Sequence, residues 1–253
     1  WGVRWTSLLN EKLGYGKYRI EEEGLCGRTT VFDDPLRDGR RGTELLSVIL
    51  ETHKPVDVVV LMLGTNDCKT MYDTSAEVIG RGVERLLDQI GSSAPDSKIL
   101  LMSPIALGAG VGEAGYDPEF DEHSVAVSKR LPEVYRRIAH ERGISFLAAS
   151  EYAKPSTADR EHMNEEGHAA LAEAVYAKLK EMLENHVKYT GSDVAENMLN
   201  NWSEEVKNFV KVIPNDYKKV ITVLDEELEK GTDRDEAMLI AFENVTGKKV
   251  EIA

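Results

Sequence analysis

Two short polar stretches, Gly64-Thr65-Asn66-Asp67 and Asp159-Arg160-Glu161-His162, hold residue types and spacings that could do chemistry. In the second, an acid and an imidazole stand three residues apart in a polar loop, KPSTADREHMNEEG, and can face one site. The Asp159 carboxylate could then orient the His162 ring and stabilise its protonated form, the two support roles of a Ser-His-Asp triad. In the first, Asn66 offers a side-chain amide that could donate to a developing oxyanion. Plainer readings stand beside both: an Asx-type turn in which Asn66 or Asp67 caps the next segment, and a solvated charged loop with an incidental histidine. A third stretch, Gly24-Leu25-Cys26-Gly27-Arg28-Thr29-Thr30, is a glycine-bearing turn. Glycine there can present a backbone N–H to a ligand with no Cβ in the way, although a plain strand-to-loop turn is the stronger reading of these residues alone. His168, one turn into the next helix, reads as a surface or packing histidine. Its spacing from His162 is not the i, i+4 that puts two metal ligands on one helical face.

The elements that must position these residues follow from the apolar pattern. Val58-Val59-Val60-Leu61-Met62-Leu63 is a continuous β-branched and aliphatic run, the pattern of a strand buried on both faces of a parallel sheet. Asn66 follows at its carboxyl end, where ligands of such sheets bind. KILLMS at 98–103 and ISFLAA at 144–149 read as two further buried strands. KYRIEEE at 17–23 alternates as an edge strand would. Helical spacing marks residues 5–14, 43–53 with Thr43 as N-cap, about 75–90 opened by Asp73-Thr74-Ser75, 120–142, and 164 to about 185. Strand and helix alternate, which is an α/β doubly wound rhythm. The glycine-rich loop Gly108 to Gly115 lacks the GxxxxGK[ST] order of a phosphate loop.

The chain has 253 residues and a net charge of -14, which disfavours nonspecific binding to nucleic acid or to an anionic membrane surface. No apolar run is long enough to span a bilayer, and Trp1-Gly2-Val3-Arg4-Trp5 lacks the pattern of a secretory signal. The two cysteines, Cys26 and Cys68, form no CxxC pair and fit a reducing compartment, so a cytoplasmic location is expected.

In order and spacing, these blocks resemble the SGNH (GDSL-type) esterase and acylhydrolase family, with arylesterase-like enzymes as the nearest branch. The matching text is VRWTSLL, GLCGRTTVFDDP, HKPVDVVVLMLGTNDCK and the Asp159/His162 pair, over roughly residues 1–186. The resemblance implies a flavodoxin-like three-layer α/β/α fold with a parallel sheet. It implies His162 as general base, Asp159 as its orienting carboxylate, and the Gly27 N–H and Asn66 amide as oxyanion-hole donors. It implies a small acyl or aryl ester as substrate, no metal or organic cofactor, and is compatible with a homo-oligomer. The family's first block, GDS, carries the nucleophilic serine and occurs nowhere in these residues. The nucleophile is therefore unknown and expected outside the 253 residues; Ser103, Thr29 and Thr30 are hydroxyls near the expected site without a motif behind them.

From about Val187 the text changes. KYTGS, the Trp202 region and FVKVIPNDYKKV resemble the C-terminal end of the large subunit of glutamate synthase, and helices are expected over 193–200, from 203, over 216–230 and over 233–244. That part of the resembled protein carries no catalytic machinery, which implies a packing or docking tail. Two functions compete: a carboxylic ester hydrolase or acyltransferase, and a catalytically dead α/β scaffold whose helical tail, 187–253, mediates protein–protein interaction. Nucleotide or FMN binding on the same sheet lacks a phosphate loop.

Overall fold

The computed structural model describes residues 2–14, 19–190, 230 and 240. The chain divides into two compact units, Trp1–Lys207 and Asn208–Ala253, and every element described below lies in the first. The helices expected beyond 190 lie outside the described residues, apart from Lys230 in a turn and Ile240 in helical conformation.

Three strands, β1 (Val58–Leu61), β2 (Lys98–Ser103) and β3 (Ser145–Ala148), form a parallel sheet in the order β1-β2-β3. Leu61 pairs with Leu101, and Leu101 with Phe146, which aligns the carboxyl ends of all three. Successive side chains on a strand point to opposite faces, and the sheet is apolar on both. Leu61, Leu101 and Ile99 face a core built with helices α2 (Gly42–Thr52), α3 (Ala76–Ser93) and α4 (Glu122–Arg142). Val60, Leu100 and Met102 face a second core built with α1 (Trp5–Leu13) and α5 (Glu165–Thr190). The result is the three-layer α/β/α arrangement. Ile79, Leu86, Ile90, Leu131 and Ile138 are among its fully buried side chains, each worth about 1.5–3 kcal/mol of apolar transfer.

Local sequence sets the helix ends. The Ser75 side chain accepts from the Val78 N–H at the start of α3. Asp121 and Ser124 form a reciprocal capping box at the start of α4, and Gly143 closes that helix in the left-handed conformation. Asn164 accepts from the Gly167 N–H at 2.9 Å and caps α5.

Three expectations are corrected. Residues 19–23 carry no strand, because the alternating side chains serve other contacts. Ile20 packs on the second core, Glu22 pairs with Arg4 at 3.1 Å and Glu23 with His53 at 2.7 Å. Thr43 is not the cap of α2, which starts one residue earlier at Gly42 with no side-chain cap. Its N–H donates instead to the Thr30 carbonyl at 3.1 Å, so the helix start is fastened to the turn it follows. Finally, β1 is not buried on both faces: Val58 is exposed and only Leu61 is buried, because among the described residues β1 pairs with β2 alone.

Candidate active site

The chemistry-bearing residues lie in loops that leave the carboxyl ends of β1 and β3. After β1 the chain turns through Gly64, beside which the buried Tyr135 hydroxyl of α4 donates to the Leu63 carbonyl at 2.8 Å. A single 3-10 turn, Asn66–Cys68, follows. One Asn66 amide N–H donates to the Arg28 carbonyl at 3.1 Å. A primary amide has two donors, so the other remains for a ligand.

The Arg28 carbonyl belongs to the Leu25–Arg28 turn, closed by the Arg28 N–H on the Leu25 carbonyl at 3.0 Å. Gly27 takes φ +80° at its third position, the conformation of a type II turn that glycine alone adopts without strain. Among the described residues the Gly27 N–H has no acceptor. The turn is held from behind: the Thr29 N–H donates to the Arg40 carbonyl at 2.9 Å, and the Gly42 N–H to Thr29 at 3.0 Å. Asp67 does not cap the following turn. It is fully buried and both its oxygens accept the Thr30 N–H, at 3.0 and 3.1 Å.

Beyond β3, the 159–162 loop builds the acid–imidazole pair. His162 Nδ1 lies 2.9 Å from Asp159 Oδ2, with 70% of the histidine side chain exposed. Asp159 Oδ1 also accepts the backbone N–H groups of Glu161 at 3.0 Å and His162 at 2.9 Å, and the Ser156 hydroxyl at 3.1 Å. Burial alone would raise the Asp159 carboxyl, but these donors and the His162 ring outweigh it and bring its pKa down to about 2. Asp159 is therefore a fixed anion beside the ring, the arrangement that holds an imidazole in one tautomer with its other nitrogen free. Burial raises the pKa of Glu161, with Asp117 and Asp159 adding to it and His162 and Lys69 pulling the other way.

Arg160, at φ +63°, fastens the loop to its neighbour. Its guanidinium donates to the Gly110 carbonyl and pairs with Glu113, both at 2.8 Å, and lies 3.9 Å above the Tyr116 ring. Its own carbonyl accepts the Gly108 N–H at 2.7 Å. The glycine-rich stretch is thus the loop that wraps Arg160, a role its sequence did not reveal.

A buried ionic cluster braces the other side. Arg37 bridges Asp34 at 3.0 Å and Glu119 at 2.8 Å, and the Lys69 ammonium, 2% exposed, lies 2.9 Å from Glu119. His168 accepts the Trp5 N–H on Nδ1 at 3.3 Å and is half-buried, a packing role. Burial lowers its pKa, with His162 and Arg4 adding to the effect. The start of α1 is thus held against the first turn of α5.

The hydroxyls noted in the sequence are not placed to attack a substrate. Thr29, Thr30 and Ser103 are all fully buried; Thr29 donates to the Phe32 carbonyl at 2.5 Å and Thr30 to Asp67. Cys26 is exposed and Cys68 buried; burial pushes the Cys68 thiol up to about 12. Among the described residues, no three His, Cys, Asp or Glu side chains group to hold a metal ion. No helix among them is long and apolar enough to cross a membrane.

The parallel three-layer fold carries the Asn66 amide and an acid–imidazole pair in loops that leave the carboxyl ends of its strands. The model of the GDSL-like lipase/acylhydrolase family matches residues 1–170, and the chain belongs to that family. The inhibitor-bound form of M. smegmatis aryl esterase is 30% identical over 71% of this chain and 86% of its own, with a TM-score of 0.66. Est24, a carbohydrate acetylesterase from Sinorhizobium meliloti, is 30% identical over 72% of this chain and 86% of its own, with a TM-score of 0.65. The C-terminal resemblance also holds. A GXGXG-motif model matches residues 140–215. The glutamate synthase [NADPH] large chain of Bacillus subtilis is 42% identical over 76 residues, which cover 30% of this chain and 5% of that protein.

Proposed function

We propose that this chain supplies the acid–base pair and oxyanion donors of a carboxylic ester hydrolase for small acyl or aryl esters, with a Ser-His-Asp mechanism whose serine lies outside the 253 residues. The observation that carries the reading is the 2.9 Å contact between Asp159 and His162 Nδ1, which leaves the other ring nitrogen toward solvent. A serine carried by residues leading into α1 would arrive beside this ring, since the Trp5 N–H is held by His168. In the reaction, His162 takes the serine proton as the oxygen attacks the ester carbonyl, and the Gly27 N–H and free Asn66 N–H receive the oxyanion. The intermediate collapses as His162 returns the proton to the leaving alcohol. Water, or a second alcohol in acyl transfer, then repeats the sequence on the acyl-enzyme.

A second reading is favoured by the burial of Thr29, Thr30 and Ser103, which leaves no internal replacement nucleophile among those three. On it, the α/β body is a scaffold and the tail from about Val187 binds a protein partner. One experiment separates the two: turnover of short p-nitrophenyl esters by polypeptide including its upstream residues. The hydrolase reading expects His162→Ala to lower kcat by roughly 10²–10⁴-fold. Absence of turnover in the parent, or turnover that survives His162→Ala, overturns it.

A further inference from the structure

Asp67 directly follows Asn66 and is fully buried, and the ester-hydrolase chemistry above gives it no task. A carboxylate held out of water is unfavourable unless hydrogen bonds replace the solvent. Here the first two come from Thr30, through its N–H at 3.0 and 3.1 Å and its hydroxyl, and the Asp67 backbone N–H adds to them. Thr30 is itself wedged against α3, where a Cβ on Gly82 would lie 2.9 Å from the Thr30 Cβ. The Gly27 turn and the Asn66 turn are thus joined by two straps, Asn66 to Arg28 and Asp67 to Thr30.

The two straps differ in kind. The first is neutral. The second is charge-assisted and weakens when one carboxylate oxygen takes up a proton and ceases to be a pure acceptor. We propose that Asp67 is a positioning residue which, in its ionised form and through Thr30, sets the spacing between the Gly27 N–H and the Asn66 amide.

Burial raises the Asp67 pKa to about 6, against the pull of the Thr30 hydroxyl and N–H. The titratable groups that face it are Cys68 beside it, Tyr72 from the turn Thr70–Tyr72, and Tyr135 from α4. All three are raised first by burial, Cys68 and Tyr72 to about 12, and stay neutral while Asp67 titrates.

This inference rests on the ester-hydrolase reading for its purpose, so its test includes a readout that needs no turnover. In full-length His162→Ala protein, where the imidazole no longer titrates, the Asn66 side-chain amide resonances are followed by NMR from pH 4 to 8. They are expected to shift with a midpoint near 6, to lose that shift on Asp67→Asn, and to move it upward on Thr30→Val. Thr30→Ser, which keeps the hydroxyl, should restore the parent midpoint. A resonance that does not titrate, or a midpoint that survives Asp67→Asn, overturns the proposal. In the active polypeptide, Asp67→Asn should lower kcat about tenfold or more with KM little changed, since displaced donors act on the transition state. A change confined to KM also overturns it. An Asn66 titration that persists in a parent without esterase turnover, and is lost on Asp67→Asn, would sink the hydrolase reading and leave the coupling of the two turns standing.

Discussion

The Asn66 amide meets the Arg28 carbonyl at 3.1 Å across 38 positions of sequence, so the candidate oxyanion donor is aimed by the turn that contributes the other one. Asn66→Ala should therefore remove a donor and loosen Gly27 together. We expect kcat for a short aryl ester to fall by about 10²–10³-fold, the usual effect of losing one oxyanion donor. Asn66→Asp keeps the size but turns an acceptor toward a carbonyl, and should fall at least as far. Steady-state kinetics on the polypeptide with its upstream residues checks both.

Gly27→Ala forces a Cβ into the left-handed region at φ +80° and places it 3.4 Å from Arg37 Cζ and Arg40 Nε. The conformational penalty is about 1–2 kcal/mol, and Gly27→Asn should lose less because asparagine tolerates that region. Urea denaturation of the three proteins orders them: parent, then Asn, then Ala.

The two buried or half-buried aspartates push stability in opposite directions with pH. Asp159 titrates at about 2 in the folded state, below its ordinary value near 4, so its contribution is present above about pH 4 and is lost as pH falls toward 2. Asp67 holds its proton up to about 6 when folded and releases it near 4 when unfolded. Between those values the folded state binds more protons, and stability falls as pH rises, by on the order of 3 kcal/mol. Denaturation midpoints measured from pH 3 to 7 should show Asp159→Asn flattening the acid limb and Asp67→Asn flattening the limb from 4 to 6.

Lys69 is 2% exposed and reaches Glu119 at 2.9 Å and Asp34 at 3.8 Å. Lys69→Ala leaves those acids with Arg37 as their remaining cationic partner and should destabilise by about 3 kcal/mol. Lys69→Met fills the same space without the charge and should recover part of that loss by packing. A shift in urea midpoint at unchanged m-value is the readout.

Sheet and helices were legible in the sequence because uninterrupted apolar runs and helical spacing report burial directly. The runs at Val58, Lys98 and Ile144 became β1, β2 and β3 to within a few residues. The Asp159 and His162 pair could be picked out because a three-residue spacing in one loop permits the 2.9 Å contact found there. What could not be read was pairing across distance. Nothing local joins Thr30 to Asp67, 37 positions away, or Arg160 to Gly110, fifty positions away. Thr43 misled for the same reason: a hydroxyl at a helix start usually caps, but here the backbone of Thr30 had already fixed that end. The alternation at 17–23 failed because charged residues so spaced can pair with Arg4 and His53, which flank helices, instead of entering a ladder; Lys17 and Tyr18 lie outside the described residues.

The wrapping of Arg160 by the glycine-rich loop ties the inheritance of distant positions together. A Cβ on Gly110 would sit against the Arg160 guanidinium and the Glu113 carboxylate, and Gly110 also holds φ +72°. Two locks thus close that position, and only one belongs to Arg160. A relative with a short side chain in place of Arg160 would open the first lock and leave the second. There, position 110 should drift to asparagine or aspartate, which tolerate the left-handed turn, and should still refuse valine or isoleucine. Arginine and glycine, fifty residues apart, should then vary together, the smaller only after the larger has gone.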